Sequence, residues 1–321
     1  RDLSKVEVQK FYPDNELMRG DLADYAIEVE YHDMTIGLAL EALEERGLME
    51  NTLIVVTSDH GMPFPRVKGQ IYDEGFHVAF AARWGDKIKS GRVVTDYINF
   101  PDVAPTFLEL AGVEKDAQMT GESFADILLS EESGRIDESR NFAVLGKERH
   151  DLGRMEGEQH SVGYPSRAIR TDNYLYVKNY KPHLWPAGDP EYNYMNVDGS
   201  PAKTYLTDLS ENDPDYTFYE MAFGLRPAEE LFDMEKDPDC VNNLAELPEF
   251  KEIKKELAEK MNKVLTAQND PRILGKGDIF DFYPHRDDPR LQKLYGDKYY
   301  NMWDKFHEKY GKHSVPLPPK N

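Results

Sequence analysis

The sequence predicts an α/β chain, a parallel-sheet core followed by a smaller α+β unit built on an antiparallel sheet. Three observations carry that prediction. Over 21–46 apolar residues recur at helical spacing, at Leu22, Tyr25, Ala26, Val29, Ile36, Leu40 and Leu43, and the pattern stops at Gly47. The run Thr52-Leu53-Ile54-Val55-Val56-Thr57-Ser58 follows, β-branched and without polar alternation, which reads as a strand buried on both faces of a parallel sheet. Past residue 145 the texture changes to short alternating segments separated by Asp/Asn turns, the pattern of an antiparallel sheet.

The remaining elements follow in order. Apolar runs at 76–84 and 142–145 supply two further strands of the core. Between them 101–112 places Pro101 in a first turn and Gly112 at the stop of a short helix. Residues 167–177 alternate about Asp172-Asn173, which reads as a hairpin. The Pro/Asp/Asn/Tyr-rich stretch 182–216 reads as an ordered loop held by its tyrosines. Glu230-Leu231-Phe232-Asp233 reads as a strand, and 250–266 as a helix with Ile253, Leu257, Met261 and Leu265 on one face. Two domains result, 1–145 and 146–321, and the Pro-rich tail at 315–319 lies outside regular structure.

The chain has 321 residues, 40% of them hydrophobic and 12% aromatic, enough to bury a sizeable core. Against 39 Lys+Arg stand 60 Asp+Glu, a net charge of −21. That surplus repels nucleic acid and anionic lipid, so a polyanionic ligand must be met by a local basic pocket or a metal. No apolar run approaches the ~18 residues of a membrane span. The single cysteine, Cys240, has no intramolecular partner for a disulfide. Residues 1–10 lack an apolar leader core, and the long helix has no preceding strand to pack on. A fragment or processed chain is therefore expected.

Asp59-His60-Gly61 directly follows the buried run, at the crevice outside a strand's C-terminal end where open α/β sheets bind ligands. There a carboxylate and an imidazole can share one cation; equally, Asp59 can cap the turn and leave His60 on the surface. Met62-Pro63-Phe64-Pro65 is a stiff turn with two φ-locked prolines, and it directs Arg66 and Lys68 back toward the crevice. Two cations beside a metal form an anion trap, or else an ordinary solvated loop. Farther on, Gly146-Lys147-Glu148-Arg149-His150-Asp151 follows the proposed third strand. From that rim Arg149 and His150 can donate charge-assisted hydrogen bonds to substrate, or simply belong to a polar loop. His160 and Arg167 are weaker candidates, Arg170 reads as solvent-facing, and the tyrosines between 192 and 219 either bind sugar or pack loops.

The motifs Leu53-Ile54-Val55-Val56-Thr57-Ser58-Asp59-His60-Gly61, Lys68 and 102–112, with the later Glu230-Leu231-Phe232-Asp233, Asp237-Pro238 and Asn243-Leu244-Ala245, occur in order. Together they resemble the type I sulfatases of the alkaline-phosphatase superfamily, over most of the chain. Within that family, 58–65 and Tyr164-Pro165-Ser166-Arg167 look most like the heparan N-sulfatase (sulfamidase) group.

The resemblance implies an alkaline-phosphatase-like core and a sulfuric ester hydrolase acting on a sulfated, glycosaminoglycan-like carbohydrate. It makes Asp59 and His60 two ligands of a calcium ion, and Lys68 the cation that contacts the sulfate and stabilises the leaving group. It also implies a formylglycine nucleophile made from Cys or Ser before Pro-Ser-Arg. Here Gly163 holds the place of that residue in Gly163-Tyr164-Pro165-Ser166-Arg167, so the nucleophile is expected in an N-terminal half that is the natural partner of this chain. Calcium takes about six to eight oxygen ligands and two do not hold it. His60 stands where many members have Asn, which favours zinc or manganese and a phosphodiesterase or phosphotransferase as the alternative enzyme. A catalytically silent carbohydrate-binding chain is the third reading. Family analogy implies a periplasmic or secreted protein, and no Asn-x-Ser/Thr acceptor occurs.

Overall fold

The computed structural model of the protein describes residues 2–150, 154–156, 159–160 and 162–282. Helix α1, Glu16–Glu45, starts at Asn15, whose side chain accepts from the Met18 N–H at 2.9 Å. Only its first turns are buried, through Met18, Leu22 and Ala23, while Tyr31, Met34 and Leu38 farther along are exposed. Strand β1, Ile54–Thr57, then leads through α2, Asp73–Phe76, to β2, Phe80–Arg83.

These two strands pair antiparallel, with Ile54 opposite Arg83 and Thr57 opposite Phe80. The expected parallel core is thus not formed among the described residues, and β1 is half-buried rather than enclosed on both faces. The reason lies in the connection. A parallel return needs a crossover that packs as a helix across the sheet. Here residues 58–79 form a loop that packs elsewhere and one helical turn, so the chain doubles straight back. Helix α3, Phe100–Leu110, appears where expected, with Pro101 in its first turn and a capping box in which the Asn99 N–H donates to Asp102 at 3.1 Å. It packs with α4, Ala125–Leu129, on a cluster of Phe124, Ile127, Leu128, Phe80 and Val103.

Strand β3, Phe142–Lys147, is followed by a small ribbon of β4, Met155–Glu156, and β5, Gln159–His160. Then come β6, Ser166–Thr171, β7, Tyr174–Asn179, and β8, Glu229–Asp233. They form one antiparallel sheet in the order β3-β6-β7-β8, and β6 and β7 are the hairpin about Asp172-Asn173. The run 142–145 therefore belongs to this sheet and not to the first unit. Its unbroken apolarity has a local cause, because both faces are covered. Phe142 and Val144 join Leu257, Met261 and Leu265 of α7, Lys251–Ala267, whereas Leu145 joins Ile71, Tyr72 and Phe232 on the other side.

The stretch 182–216 is not all loop. It contains a helix, Pro201–Thr207, which numbers α5, and its end runs into α6, Tyr216–Phe223. Tyr194, Val197, Leu206 and Phe223 from this region bury Phe11, Tyr12, Met18, Phe64 and Val67. Fully buried Arg154 pins it from below, donating to the carbonyls of Trp185, Val162 and Pro186 at 2.7, 3.1 and 3.1 Å and to Asn196 Oδ1 at 2.7 Å. A buried guanidinium is tolerable only when so satisfied. The Pro-rich tail and Asp151 lie outside the described residues.

Candidate functional site

At the end of β1 the backbone turns sharply. Ser58 Oγ donates to the His60 carbonyl at 2.7 Å, and the Gly61 N–H donates to the Gly75 carbonyl at 3.1 Å. A Cβ on Gly61 would stand 1.8 Å from the Glu74 carbonyl oxygen, so only glycine allows this approach. His60 Nδ1 lies 2.6 Å from the Gly61 carbonyl. A carbonyl only accepts, so Nδ1 carries a proton and donates to it, which turns the Nε2 edge toward Asp59. That nitrogen is 3.8 Å from Asp59 Oδ2, on a carboxylate that is 88% exposed. Two donors of opposite chemical type thus face one opening.

The proline turn behaves differently for its two cations. The amides of Val67 and Lys68 both donate to the Phe64 carbonyl at 3.2 Å, and Phe64 and Val67 plug into the core. Lys68 keeps only 19% of its side chain exposed, and its ammonium pairs with Asp198. Arg66, expected to face the crevice, points inward instead. It is buried at positive φ, 69°, and donates to the carbonyls of Met221 at 2.8 Å and Cys240 at 2.5 Å, over the ring of Tyr72. It fastens the loop to the core, and burial lowers its pKa. Nothing local separates the two cations, since Arg66 and Lys68 differ only in which of them the turn places beside Phe64 and Val67.

Asp59, His60, Arg149 and His150 line a common crevice of about 2140 Å³ between β2 and β3. The ring of His150 closes on Gly69, where a Cβ would come within 2.7 Å of its Cδ2, so the rim and the Lys68 loop adjoin. Behind the rim, Glu148 is held by Arg167 and Arg272, each at 2.7 Å, and Arg167 also donates to Asp270 at 2.8 Å. The Pro-Ser-Arg segment is fully committed to structure: Gly163 N–H donates to Asp281 at 2.6 Å and Ser166 Oγ to Asn179 at 2.8 Å. Arg170 is not solvent-facing; its side chain is 13% exposed and its Nε donates to Asp73 at 2.7 Å. His160 pairs in register with Met155. Tyr194 and Tyr219 hydrogen-bond each other and pack with Phe223, away from the crevice. Sequence reasoning passed over His77, which lines the same crevice; a lone histidine after a one-turn helix carries no motif.

Among the described residues no cluster of three or more His, Cys, Asp or Glu is placed to hold a metal ion. Asp59 and His60 by themselves fall short of the six to eight ligands of calcium and of the three or four of zinc. They do not fit a resident ion unaided.

Residues 2–113 match the family described as sulfatase, and residues 64–189 match that described as N-sulphoglucosamine sulphohydrolase, C-terminal. The chain belongs to the sulfatase family of the alkaline-phosphatase superfamily. This sulfatase-family chain is 30% identical over 267 residues to an ulvan-active sulfatase of Formosa agariphila, covering 81% of the chain and 48% of that protein. It is 24% identical over 304 residues to the Homo sapiens N-sulphoglucosamine sulphohydrolase, covering 91% of the chain and 56% of that protein. It thus spans about half the length of the curated relatives it matches. A solved structure from work on the metabolism of multiple glycosaminoglycans by Bacteroides thetaiotaomicron aligns with TM-score 0.59 at 22% identity, over 86% of this chain and 49% of that one. Another, in complex with its substrate D-glucosamine-2-N,6-O-disulfate, aligns with TM-score 0.53 at 22% identity, over 79% and 42%. These likenesses establish a mixed α/β sulfatase fold.

Proposed function

We propose that this chain is the C-terminal portion of a carbohydrate sulfatase that hydrolyses a sulfate ester or sulfamate on a sulfated, glycosaminoglycan-like saccharide. The observation that supports the reading is the shared crevice, which Asp59 and His60 at the strand end and Arg149 and His150 farther along the chain all line, with His150 against Gly69 of the Lys68 loop. In this proposal the chain up to β3 is the C-terminal half of the catalytic domain, and the smaller subdomain begins with β3 at Phe142, a few residues before the expected boundary at 145. A preceding N-terminal half brings the formylglycine nucleophile and the remaining metal ligands, and the protein works in the periplasm or outside the cell.

Asp59 and His60 Nε2 would contribute two of the donors to the ion, whose charge offsets that of a sulfate oxygen when it is bound. Lys68 exchanges Asp198 for a second sulfate oxygen and stabilises charge on the leaving group. Arg149 and His150 orient the sugar through charge-assisted hydrogen bonds. In the full-length protein Lys68→Ala should lower turnover on a sulfated sugar by about 10²–10³-fold, the usual loss on removing an oxyanion donor. Unchanged turnover would reject the role.

A second reading has its own observation. An imidazole nitrogen such as His60 Nε2, beside the Asp59 carboxylate, suits zinc or manganese better than calcium, as in phosphodiesterases and phosphotransferases of the superfamily. Metal analysis of the full-length protein decides: one calcium supports the sulfatase, and two zinc or manganese ions support the phosphate enzyme.

A further inference from the structure

We infer that the crevice carries a second oxyanion site, formed by His77 and Arg170 on opposite oxygens of the Asp73 carboxylate. It would take a second sulfate or a carboxylate of a polyanionic saccharide, and so it rests on the sulfated-carbohydrate reading above. His77 Nδ1 is 3.1 Å from Asp73 Oδ2, and Arg170 Nε donates to Asp73 Oδ1 at 2.7 Å. Arg170 Nη1 is spent on Tyr97 Oη and the Asp172 carbonyl, both at 3.2 Å, and on the Thr171 carbonyl. With Nδ1 turned to the carboxylate, the Nε2 edge of the imidazole is the one left for a ligand.

Exposure separates the three groups. The His77 side chain is 71% exposed, whereas those of Asp73 and Arg170 are 17% and 13% exposed. His77 and Arg170 both line the crevice that Asp59 and His60 line, and the carboxylate lies behind them. A strut holding α2 against β6 would need only the two inward contacts. The open imidazole edge is surplus to such a strut and is what an anion would meet. When protonated, His77 joins Arg170 in setting two positive charges against the carboxylates of Asp73 and Glu74, so this part of the crevice is locally neutral within a chain of net charge −21.

The charged groups facing His77 are Asp73 and Glu74 on its own helix and Arg170 on β6. The hydrogen bond to Asp73 raises the His77 pKa from its ordinary 6.5, against burial and the Arg170 charge, which lower it. The imidazolium is present below that raised value and is lost as pH rises through it. Affinity for the second anion should fall in the same direction.

The test titrates the chain, with histidine ring resonances observed by NMR, with D-glucosamine-2-N,6-O-disulfate and with glucosamine 6-O-sulfate, and measures both affinities by calorimetry. At pH 6 the disulfate should move the His77 ring saturably and bind about tenfold tighter than the monosulfate. That preference should shrink at pH 8 and approach unity in His77→Gln, a surface change that does not threaten folding. A His77 ring unmoved by the disulfate, or a preference unchanged in His77→Gln, overturns the second site. The sulfatase reading fails separately, if Lys68→Ala leaves turnover of the full-length protein unchanged while the His77 shift persists.

Discussion

Lys68 gives its ammonium to Asp198, 130 residues farther along the chain, and so ties the proline turn to the segment that precedes α5. The lysine side chain is 19% exposed and the carboxylate 53% exposed, so the pair contributes no more than about 1 kcal/mol to stability. Its larger effect is competition, because the same ammonium is the one proposed to meet sulfate. Asp198→Asn should leave the urea midpoint nearly unchanged and raise the affinity for inorganic sulfate several-fold by calorimetry. Unaltered sulfate binding would show that Lys68 is not the recipient.

The turn that presents Asp59 and His60 depends on a missing side chain. With the Glu74 carbonyl 1.8 Å from the ideal Cβ position, Gly61→Ala must push α2 away from the strand end. A cost of about 1–3 kcal/mol is expected, typical of an overpacked site. Chemical denaturation measures it, and metal affinity of the full-length protein should fall in parallel.

Arg167, 4% exposed, is shared by Glu148 and Asp270, both 15% exposed. Arg167→Gln leaves two largely buried carboxylates short of a partner and should cost about 3 kcal/mol. The acid limb supplies an independent reading. Burial opposes the charged form of Asp270, but hydrogen bonds and charge from Arg167 outweigh it and hold the pKa below 3.8. This contribution is present above 3.8 and disappears as pH falls through the lower folded value. In Arg167→Gln the acid-unfolding midpoint should move to higher pH.

Lys147 gives the opposite case. Burial, reinforced by the charges of Arg154 and Arg226, pushes its pKa well below 10.5. Between the lowered folded value and 10.5 the unfolded chain holds one more proton, so stability rises with pH across that window. The Pro186 carbonyl that accepts from Lys147 at 3.1 Å also accepts from Arg154 at 3.1 Å and Gln70 at 3.3 Å. Lys147→Met therefore strands no acceptor. It should raise stability at neutral pH by about 1 kcal/mol and flatten the alkaline slope, as urea melts at pH 7 and pH 9.5 would record.

How much of this was legible beforehand depended on range. The helix α1, the hairpin about Asp172-Asn173, the capped helix α3 and the amphipathic helix α7 follow from periodicity and turn chemistry within a few residues. The partner of a strand does not. The runs at 54–57 and 142–145 look equally apolar, yet one pairs with β2 at a half-exposed edge and the other is sandwiched between α7 and the Ile71-Tyr72 segment. In the candidate site, the placement of Asp59 and His60 after β1 and of Arg149 and His150 after β3 was legible because following a strand end is a local property. Arg66 was not, because its burial depends on Met221 and Cys240, more than 150 residues away. The same holds for His77, whose setting is made by β6.

The far flank of β1 carries no strand among the described residues, and its row of peptide N–H and C=O groups lies open beside half-buried Val55 and Val56. Such a rim is a template for any extended segment that reaches it. Handled alone at high concentration, these molecules should stick to one another there, so that light scattering grows with protein concentration. A proline at Val55 would blunt that association.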